Sequence, residues 1–199
     1  EVPASPMVLS KLYNSAVIPK PCYAVEVLSI DDKSKESMEV FHSKSAKMFQ
    51  RLPGNTCNVG SIVTIGWQTI SAHIDYQRLL FLWRVLLLPM NSMYKIAMLY
   101  RIIQICEQDF MHMNSPVCKM LQVCYRYNLI NVLLESVVNG EYVSLKQWKK
   151  WIKHKIGLES IRSCRVSSKM YKSMLLVSHK TWTDGLIAWW EYAHNVPED

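Results

Sequence analysis

The sequence predicts an all-α protein, an irregular multi-helix bundle with one short strand or irregular stretch over residues 23–30. Half of the residues are hydrophobic, yet only six are Gly, against eleven Met and seven Trp. That balance suits helices better than a sandwich of short strands. Apolar residues recur at spacings of three and four, and Pro, Gly, Asn and Ser interrupt them at helix-length intervals. A chain of 199 residues can bury one sizeable core or two small ones.

Ser5-Pro6 is a start signal, an N-cap followed by Pro in the first turn, and Leu9, Tyr13 and Val17 then recur every four residues until Pro19 and Pro21. Asp31-Asp32 caps a helix over Lys33 to Arg51, with Met38, Phe41, Ser45, Met48 and Leu52 as its expected core seam. Pro53-Gly54-Asn55 is a turn, and residues 59–65 make a short helix that Gly66 ends.

The longest apolar run follows. From Gly66 to Pro89 it keeps helical spacing through Ile70, Ile74, Phe81, Val85 and Leu88, while Leu79, Leu82, Leu86 and Leu87 fill its other faces. It is too short for a bilayer and reads as the central core helix of a soluble domain, stopped by Pro89. Arg84 breaks the apolar run, and a structural ion pair is its expected role, ahead of solvent or a phosphate.

Asn91-Ser92 caps a helix whose expected buried face is Ile96, Leu99, Ile103 and Cys106. Ser115-Pro116 starts another, with Val117, Met120, Leu121 and Cys124 inside. A helix from Leu129 to Val138 stops at Asn139-Gly140. Ser144 with Gln147 suggests a capping box for a helix ended by Gly157, and helices are expected again over residues 158–178 and 184–194.

A formal net charge of +7 favours a polyanionic partner, nucleic acid ahead of a membrane surface. The excess is concentrated in residues 144–180, where ten basic residues face one acid, Glu159, for a local +9. Candidate phosphate contacts there are Lys146, Lys149, Lys150, Lys153, Arg162, Arg165 and Lys169. Trp148, Trp151, Tyr171 and Trp182 are interleaved with them; they could stack on bases, but the core side of an amphipathic helix is the preferred reading. A second basic stripe, Lys44, Lys47 and Arg51, is either a solvated face or a row of phosphate contacts.

Nothing in the chain predicts a catalytic site or a cofactor. Asp31-Asp32 lacks the preceding aromatic-Ala of a polymerase carboxylate pair, and helix capping explains it. Cys106, His112, Cys118 and Cys124 are each six residues apart, wider than the pairs of structural zinc sites, and packing is the expected role, with no metal. The scattered His residues and the absence of any Gly-x-Ser-x-Gly or Gly-rich loop give no nucleophile or phosphate cradle. Six Cys without a CxxC suggest reduced thiols and an intracellular place, nucleus or cytoplasm. The chain starts at Glu1 rather than Met, as expected of a piece of something longer.

Several blocks together resemble the thumb of non-LTR (LINE-type) retrotransposon reverse transcriptases of animals. Val17-Ile18-Pro19 stands for the Val-Leu-Pro that ends a helix there, and Met38-Glu39-Val40-Phe41-His42-Ser43-Lys44-Ser45-Ala46-Lys47 for Leu-Glu-x-Phe-x-x-Lys-x-x-Lys. Tyr23 to Leu28 stands for Tyr-Gly-x-Glu-x-Trp, with Ala24 in place of the Gly and Leu28 in place of the Trp. Leu52-Pro53, Gly66-Trp67, Arg78-Leu79-x-Phe81-x-x-Arg84 and Leu88-Pro89 follow at suitable distances. Past Pro89, Tyr127-Asn128-Leu129 and Trp148-Lys149-Lys150 are similar to post-thumb helices of the same elements.

The resemblance implies a thumb-like segment over residues 1–90 and a post-thumb segment over 91–199. It also implies a fingers-and-palm region, with the catalytic aspartates, upstream of Glu1. The chain itself would then be no enzyme but a grip on an RNA template and RNA–DNA duplex, with Lys44, Lys47 and Arg51 as the thumb contacts. A free-standing helical protein-interaction module derived from retroelement sequence is the alternative.

Overall fold

A computed structural model describes residues 5–28, 30–107 and 115–170, with side chains given through residue 163 and at Val166. Among them are eight α-helices, one π-helical turn and no strand. In order they are α1 (Pro6–Leu12), the π turn (Tyr13–Val17), α2 (Asp32–Phe49), α3 (Asn58–Thr64), α4 (Ile70–Leu86), α5 (Met93–Glu107), α6 (Pro116–Arg126), α7 (Ile130–Asn139) and α8 (Leu145–Met170). None is long and apolar enough to cross a membrane. Contacts group the described chain into two units, one of residues 5–23, 31–73 and 157–170, the other of 24–28, 30, 74–107 and 115–156. This grouping cuts across the sequence segments 1–90 and 91–199.

Helix ends form where local chemistry demands. The Ser5 hydroxyl accepts the Val8 N–H at 3.4 Å with Pro6 in the first turn, Asp31 accepts from Ser34 at 3.1 Å, and Ser115 accepts from Cys118 at 3.1 Å. Each satisfies one of the donors that a helix start leaves open. Gly66 and Gly140 sit at φ of 73° and 71°, the left-handed conformation that glycine takes without a Cβ clash.

The first unit is built on aromatic rings. Tyr13 stacks on Trp67 with ring centroids 4.4 Å apart and planes 5° from parallel, and His42 stacks against both. Phe49 meets Tyr13 and Trp67 edge-on, and the Trp67 indole donates to the Ser10 hydroxyl at 2.6 Å. Gln50 ties α2 to α3, donating to the Ser61 carbonyl at 2.7 Å and accepting from the Thr64 hydroxyl at 2.7 Å. Both Glu39 carboxylate oxygens accept N–H groups at the start of α4, from Ile70 at 3.2 Å and Ser71 at 2.8 Å. A negative charge there also complements the helix dipole.

The expected seam of α2 is corrected by this packing. Phe41 is 56% exposed and Met48 66%, while Ser45 is buried as expected, together with His42, Ser43 and Ala46. Small side chains let α2 approach α3 and the ring cluster closely, and His42 can be buried because both of its nitrogens are hydrogen-bonded.

The second unit has α4 from Ile74 onward at its centre, and Leu79, Leu80, Leu82, Trp83, Val85 and Leu86 are all buried. Trp83 and Trp148 stack at 3.9 Å and 11°, and their indole N–H groups donate to the carbonyls of Val143 and Leu79, both at 3.0 Å. Arg84 forms no ion pair among the described residues and is exposed, so it reaches solvent instead. The charge pairing falls elsewhere: buried Asp75 accepts from the Arg126 guanidinium at 2.6 Å and the Tyr127 hydroxyl at 3.0 Å.

Two further expectations give way here, and the choice between strand and irregular over residues 23–28 falls to irregular. The buried face of α5 is Lys95, Met98, Ile102 and Ile105, one position back from Ile96, Leu99, Ile103 and Cys106. Lys95 can take a buried place because its ammonium lies 4.6 Å over the Tyr142 ring. Gly157 does not stop α8, which runs on to Met170 with Gly157 buried in its interior. A glycine costs a helix only about 1 kcal/mol, and surrounding packing overrides that. Finally, residues 23–28 form hydrogen-bonded turns rather than a strand, with Leu28 N–H donating to Ala24 at 2.9 Å.

Those turns depend on Ala24 at φ 59°, a left-handed conformation in which an alanine Cβ is strained. Ala24→Gly is expected to raise the unfolding free energy by up to about 1 kcal/mol, net of the extra freedom that glycine gives the unfolded chain. Urea unfolding of the two proteins checks this; a destabilised glycine variant would show that the strain is absent.

Candidate nucleic-acid interface

The basic residues nominated by the sequence separate into two groups, one along α8 and one in and just after α2. In α8, Lys146, Lys149, Lys150 and Lys153 stand at i, i+3, i+4 and i+7 and therefore share one face. Lys146, Lys150 and Lys153 are exposed and Lys149 partly so. Trp148, Ile152 and Ile156, spaced by four, are buried on the other side. No Asp or Glu occurs in α8 before Glu159, and none of these four lysines is in an ion pair among the described residues.

Lys44, in α2, is exposed, and so is Arg51, which lies past the end of that helix in a turn at φ 54°, not on the helical stripe expected through residue 51. Lys47 is partly buried, and its ammonium donates to the Gly54 carbonyl at 2.9 Å. Gly54 lies in the turn between α2 and α3, so Lys47 is held by its own unit while Lys44 and Arg51 point free. Val40, Phe41 and Met48 are exposed beside them, an apolar component that the expected core seam had concealed. A shallow depression of about 340 Å³ runs along this face, lined by Val40, Lys44, Lys47, Met48, Leu52 and Asn58 among others.

Arg162 is exposed and lies 4.0 Å from Glu159, a loose surface pair that leaves the guanidinium available. Arg165 and Lys169 belong to α8, but their side chains lie outside the described residues, as do Tyr171 and Trp182.

The aromatic residues among the α8 lysines resolve clearly. Trp148 is fully buried and stacked on Trp83, so it is core, and Trp151 is partly buried. Exposed rings of the same unit, Tyr94, Tyr100 and Tyr125, stand on α5 and α6.

The spaced Cys and His do not assemble. Cys106 is exposed, Cys118 and Cys124 are buried in α6, and His112 lies outside the described residues. Burial pushes the Cys124 thiol up to about 12, which keeps it protonated and unreactive. Among the described residues no three His, Cys, Asp or Glu side chains are grouped closely enough to hold a metal ion.

One buried titratable cluster lies in the first unit. His42 Nε2 faces the Gln68 carbonyl at 2.9 Å and so must carry the proton, leaving Nδ1 to accept from the Tyr13 hydroxyl at 3.1 Å. Burial holds His42 below its ordinary pKa, and burial plus the neighbouring His42 ring brings His73 down to about 4. With both of its nitrogens bonded, His42 is a neutral structural residue. The sequence offered no sign of the cluster, since its partners come from three separate stretches of chain, around residues 13, 42 and 68–73.

Compared with known proteins, the chain matches no family model, no curated protein and no solved structure.

Proposed function

We propose that this chain is a helical nucleic-acid-binding segment, a template-primer grip of a retrotransposon-type reverse transcriptase, without a polymerase active site of its own. The observation that carries the reading is the α8 face of Lys146, Lys149, Lys150 and Lys153, four cations with no acid among them. Such a face attracts a polyanion and releases its counterions. The thumb resemblance draws support from Ala24: where the resembling elements carry Gly, the backbone has the left-handed φ of 59° that Gly favours. Gly66, the Gly of the Gly-Trp block, also has positive φ.

Binding of a labelled RNA–DNA duplex, followed by fluorescence anisotropy, tests the proposal. With about six phosphates neutralised, affinity falls about a thousandfold between roughly 50 and 200 mM salt. Binding that ignores salt, or none at low salt, overturns it.

One observation favours the second reading, a protein-interaction module. Met93, Ile96, Tyr100 and Ile103 form an exposed apolar stripe on α5, opposite its buried face. The DNA flanking the coding sequence distinguishes the two: an upstream palm in the same reading frame supports the polymerase segment, and a start codon close to Glu1 supports the module.

A further inference from the structure

Resting on the nucleic-acid reading, we infer that α8 holds its ligand by the phosphate backbone alone, along one strand, without stacking on bases. The argument begins with what the helix has already committed. Its aromatic residue with both ring faces in play, Trp148, is fully buried, has Trp83 stacked on it at 3.9 Å, and donates its N–H to Leu79. Ile152 and Ile156 are buried on the same side. What remains outward between residues 146 and 153 is lysine, with Gln147 and the partly buried Trp151 beside it, and no fully exposed large apolar side chain.

The dimensions suit a single strand of phosphates. From Lys146 to Lys153 a helix rises about 10 Å, at 1.5 Å per residue. One strand of a duplex presents a phosphate about every 3.4 Å along its axis, so this length faces about four phosphates, one for each lysine. Lysine ammoniums are flexible point charges and do not read bases in the forked manner of arginine. The stripe therefore serves any sequence equally and is indifferent to the sugar.

The same geometry disfavours a lipid surface. A helix that lies in a bilayer interface inserts its apolar face, and the apolar face of α8 is already inside the protein.

The test uses the full chain and a variant with Lys146, Lys149, Lys150 and Lys153 all changed to Gln, both verified by circular dichroism and melting. A second variant carries Arg at the four positions. Probes are a mixed-sequence RNA–DNA duplex, a mixed-sequence single strand, an abasic strand of the same length, and phosphatidylserine–phosphatidylcholine vesicles. The salt slope of duplex binding should shrink by about 3 to 4 units in the Gln variant and stay unchanged in the Arg variant. The abasic strand should bind within about threefold of the ordinary strand, whereas a stacked base contributes about tenfold or more.

Three results overturn the inference while leaving the proposed function standing. They are an unchanged slope in the Gln variant, loss of binding in the Arg variant, or an abasic strand bound tenfold more weakly even when Tyr94, Tyr100 and Tyr125, on α5 and α6, are changed to Ala. A parent chain that binds no nucleic acid at about 50 mM salt, or binds only the vesicles, removes both.

Discussion

Truncating Trp148 to Ala is expected to lower the unfolding free energy by about 3 to 5 kcal/mol, the range for a large buried aromatic. Trp148 is fully buried, and two interactions beyond area are lost with it, the stack on Trp83 at 3.9 Å and the hydrogen bond to the Leu79 carbonyl. The surrounding side chains cannot close the space, because Trp83 is itself fixed by its bond to Val143. For a chain of this length a 3 to 5 kcal/mol loss lowers the melting temperature by roughly 10 °C. Trp148→Phe should recover most of the loss but not the hydrogen-bond part, about 1 kcal/mol. Thermal melts followed by far-ultraviolet circular dichroism measure both, and a shift below about 3 °C for the Ala variant would mean the stack contributes little.

Acid is expected to act on the other unit. Folding holds His42 and His73 neutral, whereas an unfolded chain protonates both near pH 6.5. Below that pH the unfolded state binds more protons, so stability is complete above about 6.5 and is lost as pH falls. The His73 contribution continues to be lost until about pH 4, where the folded ring also protonates. Between about pH 6.5 and 4 His73 removes about 1.4 kcal/mol per pH unit, and His42 adds a loss of the same sign. The groups facing the pair are Tyr13, Glu39 and the Gln68 carbonyl, and the Glu39 charge opposes the shift without reversing it. Urea unfolding at about pH 7.5, 6, 5 and 4.5 should show the midpoint falling steeply, and His73→Gln should make the fall shallower by about one proton. A flat profile would place the two rings in water.

The parts of this fold that were legible in the sequence are the ones decided within a few residues. Ser5, Asp31, Ser115 and Asn139-Gly140 mark helix ends because capping is local chemistry. Which side of a helix turns inward is decided by distant partners. Both sides of α5 carry apolar residues, so periodicity alone could not reveal that Ile102 and Ile105 face inward and Ile96 and Ile103 outward. In α2 the inward side is His, Ser and Ala, which no hydrophobic pattern selects; the burial of Phe41 expected from spacing fails for that reason.

The candidate interface was legible as a local excess of lysine, and its four-lysine face follows from helical spacing once α8 is a helix. The tie between Lys47 and Gly54 was not, because it depends on a loop conformation. Nor could Asp75 be matched with Arg126 and Tyr127, some fifty positions away, from charge alone.

The π turn at Tyr13–Val17 has a meaning for length variation in this chain. Its defining bond, from Ile18 N–H to the Tyr13 carbonyl at 3.0 Å, spans one residue more than an α-helical bond does. The segment is thus an α-helix with a single surplus residue, lodged between α1 and Pro19. Deleting Ser15 would relax it to an ordinary helix and swing everything before it by about 100°. Ser10 would then turn away from the Trp67 indole, which it meets at 2.6 Å. A one-residue gap here breaks a contact made fifty-seven positions downstream. The same gap in the exposed Pro53-Gly54-Asn55 turn would shift its own loop and, outside it, disturb the Lys47 bond to the Gly54 carbonyl.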